Sequence, residues 1–319
     1  MTDLKKVYKY QEENRIDKNQ KPVFHVTPPV GWMNDPNGFS VFQGKIHLFY
    51  QYHPYSVVWG PMHWGHCISE DFVKWKELPA ALAPDTDYDS LGCFSGSAIE
   101  TKDGHVLVYT GVMEKEKQDG TKQTIQQQCI AAGDGIHYKK ENNNPVIPAE
   151  MLPEGFSRED FRDPKIWKEN ETYYLVAGNK NEKQNGQVVL FASKDLSSWN
   201  YLSVLADNQG KYGKMWECPD FFPLGEKYVL IVSPQDMQAD GMEFHNGNQS
   251  VAFIGEYDRQ NYHLNEEQVI SLDYGMDFYA PQTLETEDGR RIMIAWMQSW
   301  DMNIKPADQK WNDDSCKAA

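Results

Sequence analysis

Short apolar runs alternate with clusters of Gly, Asn, Asp and Pro along nearly the whole chain. The runs Ile46 to Gln51, Val106 to Gly111, Tyr173 to Gly178 and Tyr228 to Ser233 each follow a turn pair, at Gln43-Gly44, Asp103-Gly104, Glu169-Asn170 and Leu224-Gly225. Apolar stretches of this length, bounded by residues that tolerate turn geometry, predict strands joined as hairpins. The 3.6-residue period of an amphipathic helix is almost absent, so the chain is expected to be all-β.

Two interleaved series give these strands a period. Asp71, Asp134, Asp195 and Asp258 are each followed four residues later by Trp75, Tyr138, Trp199 and Tyr262, with spacings of 63, 61 and 63 residues. Each Asp follows a strand-like run, where its carboxylate can cap a turn before the aromatic rejoins the packed layer. The second series is Asn34-Asp35-Pro36, Phe94-Ser95-Gly96, Arg162-Asp163-Pro164, Glu217-Cys218-Pro219-Asp220 and Tyr279-Ala280-Pro281. Five units of about four strands predict a five-bladed β-propeller, in which the start of every repeat lines one central funnel. Asp35, Asp163 and Glu217 would meet there.

Asn34-Asp35-Pro36-Asn37-Gly38 itself reads as a tight turn walled by Trp32, Met33 and Phe39, with a hairpin from Phe39 to Tyr50 after it. An ordinary surface turn has the same composition. Three convergent carboxyls suit glycoside hydrolysis, where one attacks or activates water and another protonates the leaving oxygen. Glu217, between Trp216 and Cys218, has the most apolar local setting and is the candidate acid; a satisfied, partly buried Glu is its bland alternative. For Asp163 the bland alternative is an ion pair with adjacent Arg162.

Composition narrows the partners. A formal charge of −16 over 319 residues disfavours nucleic acid and anionic membranes, while a neutral sugar fits. No apolar leader occurs in Met1 to Lys21 and no later stretch is long enough to span a bilayer, which points to the cytoplasm. Five cysteines without C-x-x-C spacing suit free thiols, and His63-x-x-His66 lacks partners at ligand spacing and reads as structural, so neither metal nor cofactor is implied. Ten Trp and seventeen Tyr supply sugar platforms in abundance, but blade packing explains them as well.

At these motifs the sequence resembles glycoside hydrolase family thirty-two, the β-fructosidases, on its bacterial sucrase and sucrose-6-phosphate hydrolase side. The resemblance rests on Trp32-Met33-Asn34-Asp35-Pro36-Asn37-Gly38, Phe94-Ser95-Gly96-Ser97, Phe161-Arg162-Asp163-Pro164, Trp216-Glu217-Cys218-Pro219-Asp220 and Phe278-Tyr279-Ala280-Pro281-Gln282. It implies Asp35 as nucleophile, Glu217 as general acid then base, and Asp163 as transition-state stabiliser. A retaining mechanism of this kind needs the Asp35 and Glu217 carboxyls about 5 to 5.5 Å apart. The same resemblance implies that Asn34, Gln51, Trp59, Ser95 and Arg162 hold the fructosyl unit, with Phe94, Tyr279 and Trp296 at the rim or pocket.

The expected organisation is a polar arm over 1–23, a catalytic propeller over 24–312 and an unrelated tail over 313–319. Family members continue into further strands and a β-sandwich, which are absent from this sequence. The fifth blade is therefore expected to be incomplete, with two inner strands, Tyr279 to Thr286 and Arg291 to Met297, and no outer pair. Such an open edge invites self-association. Two functions compete: an active β-fructofuranosidase on sucrose or sucrose 6-phosphate, and an inactive or merely sugar-binding remnant.

Overall fold

The computed structural model describes residues 3–117, 119–301 and 316–318. Among the described residues, nineteen strands fall into five antiparallel sheets in strict chain order. The first blade contains β1 (Trp32–Phe42), β2 (Lys45–His53), β3 (His63–Ser69) and β4 (Trp75–Leu82). The second contains β5 (Gly92–Thr101), β6 (Gly104–Glu116), β7 (Lys122–Gly133) and β8 (Tyr138–Lys140), and the third β9 (Phe161–Glu169), β10 (Thr172–Lys180), β11 (Gly186–Ser193) and β12 (Trp199–Asp207). The fourth contains β13 (Trp216–Leu224), β14 (Lys227–Pro234), β15 (Val251–Asp258) and β16 (His263–Ser271). The last sheet has β17 (Tyr279–Glu285), β18 (Arg291–Trp296) and β19 (Cys316–Ala318). Neighbouring inner strands β1, β5, β9, β13 and β17 touch in turn, and β17 touches β1, which closes a five-bladed propeller.

The Asp-x-x-x-aromatic series marks the outer hairpins. One carboxylate oxygen of Asp71 accepts from the Val73 and Lys74 amides at 2.9 and 2.7 Å, and Asp195 does the same with Ser197 and Ser198. Asp134 and Asp258 repeat the arrangement with the amides two and three residues on. Trp75, Tyr138 and Trp199 then open β4, β8 and β12, as the spacing predicts.

The core lies in layers between blades. Val106, Val108, Phe161 and Phe191 pack between the second and third, and Val176, Leu190, Trp216 and Phe253 between the third and fourth. Polar side chains complete the ring. Gln282 on β17 accepts from the Phe39 amide at 3.2 Å and donates to the Gly96 carbonyl at 2.7 Å, so one buried amide joins the fifth, first and second blades. His66 is fully buried, stacked on Phe49 with its Nε2 3.0 Å from His47 Nδ1, while His63 Nδ1 lies 3.0 Å from the Pro61 carbonyl.

Three expectations change. The stretch 34–38 is no tight turn: it lies inside the 11-residue β1, and the chain reverses only at Gln43-Gly44, where both residues have positive φ. The arm contains a helix, α1 (Asp3–Asn14), because Leu4, Val7, Tyr8 and Gln11 share one face. That face docks on the first blade, with Val7 buried, Tyr8 donating to the Ala80 carbonyl and Gln11 donating to the Tyr52 hydroxyl. In the fifth sheet, β19 adds a short third strand, pairing Cys316, Lys317 and Ala318 with Trp296, Ala295 and Ile294, where two strands were expected. Backbone pairing needs no side-chain periodicity, so the polar tail carried no signal for it. The expected end of the family-like sequence, at 311–312, lies outside the described residues.

Removing the Gln282 amide should loosen ring closure. Gln282→Ala leaves the buried Phe39 N–H and Gly96 carbonyl unpaired, at a cost of about 1–3 kcal/mol. Urea unfolding should show a lower midpoint with little change in slope; an unchanged midpoint would count against the clasp.

Candidate active site

Each inner strand carries a β-bulge at the motif. In β1 Met33 pairs with Tyr52 and Pro36 with Tyr50, so Asn34 and Asp35 together face Gln51. Asp163-Pro164 likewise oppose Ala177, Cys218-Pro219 oppose Val232, and Ala280-Pro281 oppose Ala295, while β5 carries one extra residue at Ser95. A bulge bends the strand, re-aims a side chain and frees backbone groups from the ladder. Asp163, Cys218 and Ala280 sit there with φ of 64°, 49° and 52°, a conformation unfavourable for residues with a Cβ.

The freed amides are taken up by the preceding blade. Asp163 N–H donates to Thr110 Oγ1 at 2.9 Å, Cys218 N–H to Asp163 Oδ2 at 2.9 Å, and Ala280 N–H to Ser233 Oγ at 3.0 Å. Bulge and stitch together bring Asp35, Asp163 and Glu217 to one end of the funnel.

Asp35 is 8% exposed. Its Oδ2 accepts from Ser95 Oγ at 2.6 Å and its Oδ1 from Asn34 Nδ2 at 3.1 Å, and the Cys218 thiol lies 3.5 Å from Oδ2. Burial and then the negative charge of Glu217 push its carboxyl up to about 6, against the opposing pull of those hydrogen bonds. Asp163, buried and 3.6 Å from the same thiol, is also raised; burial is the main cause, and Glu217 and Asp35 add to it. Burial and the flanking aspartates keep the Cys218 thiol protonated, so it serves as a donor between them.

Glu217 is held differently. Arg162 Nε and Nη2 both approach its Oε1, at 3.0 and 2.9 Å, and Tyr279 Oη donates to Oε2 at 2.6 Å. The apolar setting expected from Trp216 and Cys218 is therefore corrected: Trp216 packs away against Phe253, and the carboxylate faces an ion pair. The adjacent Arg162–Asp163 pair that the sequence offered as an alternative is replaced as well. Arg162 pairs with Glu217 and Asp160, because neighbours on a strand point to opposite faces and only the bulge relaxes this. Burial alone would lower the guanidinium, but Glu217, Asp163 and Asp160 more than offset it, so Arg162 stays charged.

The remaining expected residues are mostly gathered around this cluster. Asn34 Oδ1 accepts from Trp32 Nε1 at 2.7 Å, and buried Gln51 donates to the Cys93 carbonyl. Trp59, 48% exposed, meets half-buried Phe94 edge-to-face at 5.9 Å. Tyr279 is fully buried beside Glu217. Trp296 is 1% exposed and packs with Trp32, Tyr279 and Trp300. Sequence reasoning missed Gln126, whose Oε1 accepts from the Phe161 amide and Arg162 Nη1, along with Thr110 and Asp160. Cys218 was visible only as a motif letter.

Residues 25–316 match the Glycosyl hydrolases family 32 N-terminal domain. The chain belongs to glycosyl hydrolase family 32. A sucrose-6-phosphate hydrolase of Zymomonas mobilis is 43% identical over 298 residues, covering 90% of this chain and 56% of that protein. A raffinose invertase of Escherichia coli is 42% identical, covering 91% and 60%. This family 32 chain thus spans little more than half the length of the curated relatives it matches. Among solved structures, the Bombyx mori GH32 beta-fructofuranosidase BmSUC1 has a TM-score of 0.89 at 39% identity, covering 98% of this chain and 65% of that one; a mutant of it was solved in complex with sucrose.

The buried aspartates should cost stability at neutral pH. An acid held above its unfolded value of 3.8 destabilises the fold once the pH exceeds that value, and the penalty vanishes as the pH falls below it. Asp35→Asn should therefore be more stable by on the order of 1–3 kcal/mol at pH 7, with no gain near pH 4. Thermal unfolding at both pH values checks this; an equal gain at both would assign the effect to packing.

Proposed function

We propose that the family 32 domain is the catalytic part of a retaining β-fructofuranosidase that hydrolyses sucrose or sucrose 6-phosphate. The observation that carries this reading is the pairing of Asp35 and Glu217 in one funnel, from strands of different blades, each oriented by its own hydrogen bonds. The names of the relatives, sucrose-6-phosphate hydrolase and raffinose invertase, support the same chemistry.

In the proposed reaction the Asp35 carboxylate attacks the anomeric carbon of the fructosyl unit while Glu217 gives a proton to the departing glycosidic oxygen. The glucosyl part leaves as an alcohol, and a fructosyl ester remains on Asp35. Water then attacks that carbon, Glu217 takes its proton, and the Asp35 carboxylate is released. Asp163 accepts hydrogen bonds from fructose hydroxyls and stabilises positive charge at the ring. Ser95 and Asn34 hold Asp35; Arg162 and Tyr279 set Glu217. Gln51 contributes to the fructosyl pocket, and Trp59 and Phe94 form its aromatic rim.

Fructose release from sucrose and from sucrose 6-phosphate by the 319-residue chain, with Asp35→Asn as control, tests the reading. Release should fall by at least about 10³-fold in the control. Folded protein with no release above the control would favour the inactive, sugar-binding alternative. Glu217→Ala should lose far more rate on sucrose than on a substrate with an activated leaving group, and equal losses would remove it from the acid role.

The nucleophile must be ionised, so the kcat/KM profile should rise with pH through about 6. Ser95→Ala removes a hydrogen bond that favours the anion, and should move this limb to higher pH. A limb that stays in place would argue that Asp35 does not set it.

A further inference from the structure

Asp160 is not one of the three funnel carboxylates, yet one guanidinium joins it to them. Arg162 Nε and Nη2 both reach Oε1 of Glu217, at 3.0 and 2.9 Å, so the two-oxygen fork that arginine often makes with a carboxylate is not formed. Its Nη1 is turned the other way, to Asp160 Oδ1 at 3.2 Å and Gln126 Oε1 at 3.3 Å. Glu217 Oε2 is left to the hydroxyl of Tyr279 at 2.6 Å.

Asp160 is itself held in place. Its backbone carbonyl accepts from Asn179 Nδ2 at 2.7 Å and its amide donates to Ser157 Oγ at 3.1 Å, while its Oδ2 accepts from Ser157 Oγ at 3.2 Å and lies 3.3 Å from Lys180 Nζ. Burial pushes the Asp160 carboxyl up, but Arg162 and Lys180 more than offset this and hold it below the ordinary carboxylate range, so it is ionised at neutral pH. A line of alternating charge thus leads away from Glu217 through Arg162 and Asp160 to Lys180 on β10.

A general acid must carry a proton, and a guanidinium at its carboxyl opposes that. The other groups that act on Glu217 are Asp35 and Asp163, whose charges favour the proton, and the neutral Tyr279 hydroxyl and Cys218 thiol. We propose that Asp160 is a positioning residue for Glu217: it keeps Arg162 Nη1 turned away from that carboxyl and offsets the guanidinium charge, so that Glu217 is oriented without being locked as an anion. Gln126 shares the first task but, being neutral, not the second. Lys180 weakens the offset and is the opposing element. The catalytic meaning of this balance rests on the acid role proposed above for Glu217, whereas the balance itself can be read on the carboxyl.

Heteronuclear NMR titration of the full chain labelled at its glutamate carboxyls, with the Glu217 signal assigned by its loss in Glu217→Gln, is the test. Asp160→Asn keeps an acceptor for Arg162 Nη1 but removes the charge, and should lower the Glu217 midpoint by about 0.5–1 pH unit. Lys180→Met removes the opposing charge and should raise it by about 0.2–0.5 pH unit. The alkaline limb of kcat/KM on sucrose should move in the same two directions. Circular dichroism checks that each variant folds, and either one alone carries a shift of definite sign. An unchanged or raised midpoint in folded Asp160→Asn, or an unchanged or lowered one in folded Lys180→Met, would overturn the role. A wild-type chain that releases no fructose would remove the acid reaction instead, while opposite shifts in the two variants would still support the charge balance.

Discussion

Three of the five inner strands are locked to the preceding blade by the same interaction, an amide freed at a pre-proline bulge and captured by a buried side chain. Inner strands of a propeller do not share a ladder, so side chains carry most of the register between blades, with the Cys93 amide on the Met62 carbonyl at 2.9 Å a backbone link between the first and second. Thr110, Asp163 and Ser233 supply the acceptors. At Asp163 the locking acceptor is itself one of the funnel carboxylates, so the arrangement that assembles the site also closes the blades around it. The left-handed φ of Asp163, Cys218 and Ala280 is tolerated because the captured amide and the following proline leave little alternative.

The electrostatics of the funnel follow from this geometry. Three carboxyls converge on one guanidinium, and burial removes the water that would otherwise screen them. The protein divides the charge unequally. Arg162 pairs with Glu217 and Asp160 and Tyr279 donates to Glu217, whereas Asp35 and Asp163 have only neutral hydrogen-bond donors, Ser95, Asn34 and the amide and thiol of Cys218. Two buried aspartates are thus kept in an environment that resists their ionisation, at a cost in stability.

Much of the fold was legible because propeller blades repeat. Asp71, Asp134, Asp195 and Asp258 each cap an outer hairpin through two backbone amides, a local interaction that depends only on neighbours in sequence. The helix at Asp3–Asn14 was missed, because the many charges of the arm obscured the narrow face of Leu4, Val7, Tyr8 and Gln11, which only the first blade makes meaningful. Gln126 and Gln282 could not be recognised in advance. Both act through amides on other blades, and an isolated Gln in a strand gives no sign of its partner.

The sequence by itself determined the all-β character, the five repeats and the convergence of Asp35, Asp163 and Glu217, since periodicity and turn chemistry are local and a closed ring follows from counting them. Tertiary structure alone decided which carboxylate receives Arg162, that Trp296 is buried among Trp32, Tyr279 and Trp300, and that a bulge, not a turn, presents Asp35. These outcomes depend on contacts between blades, where residues far apart in the chain compete for the same buried donors and acceptors.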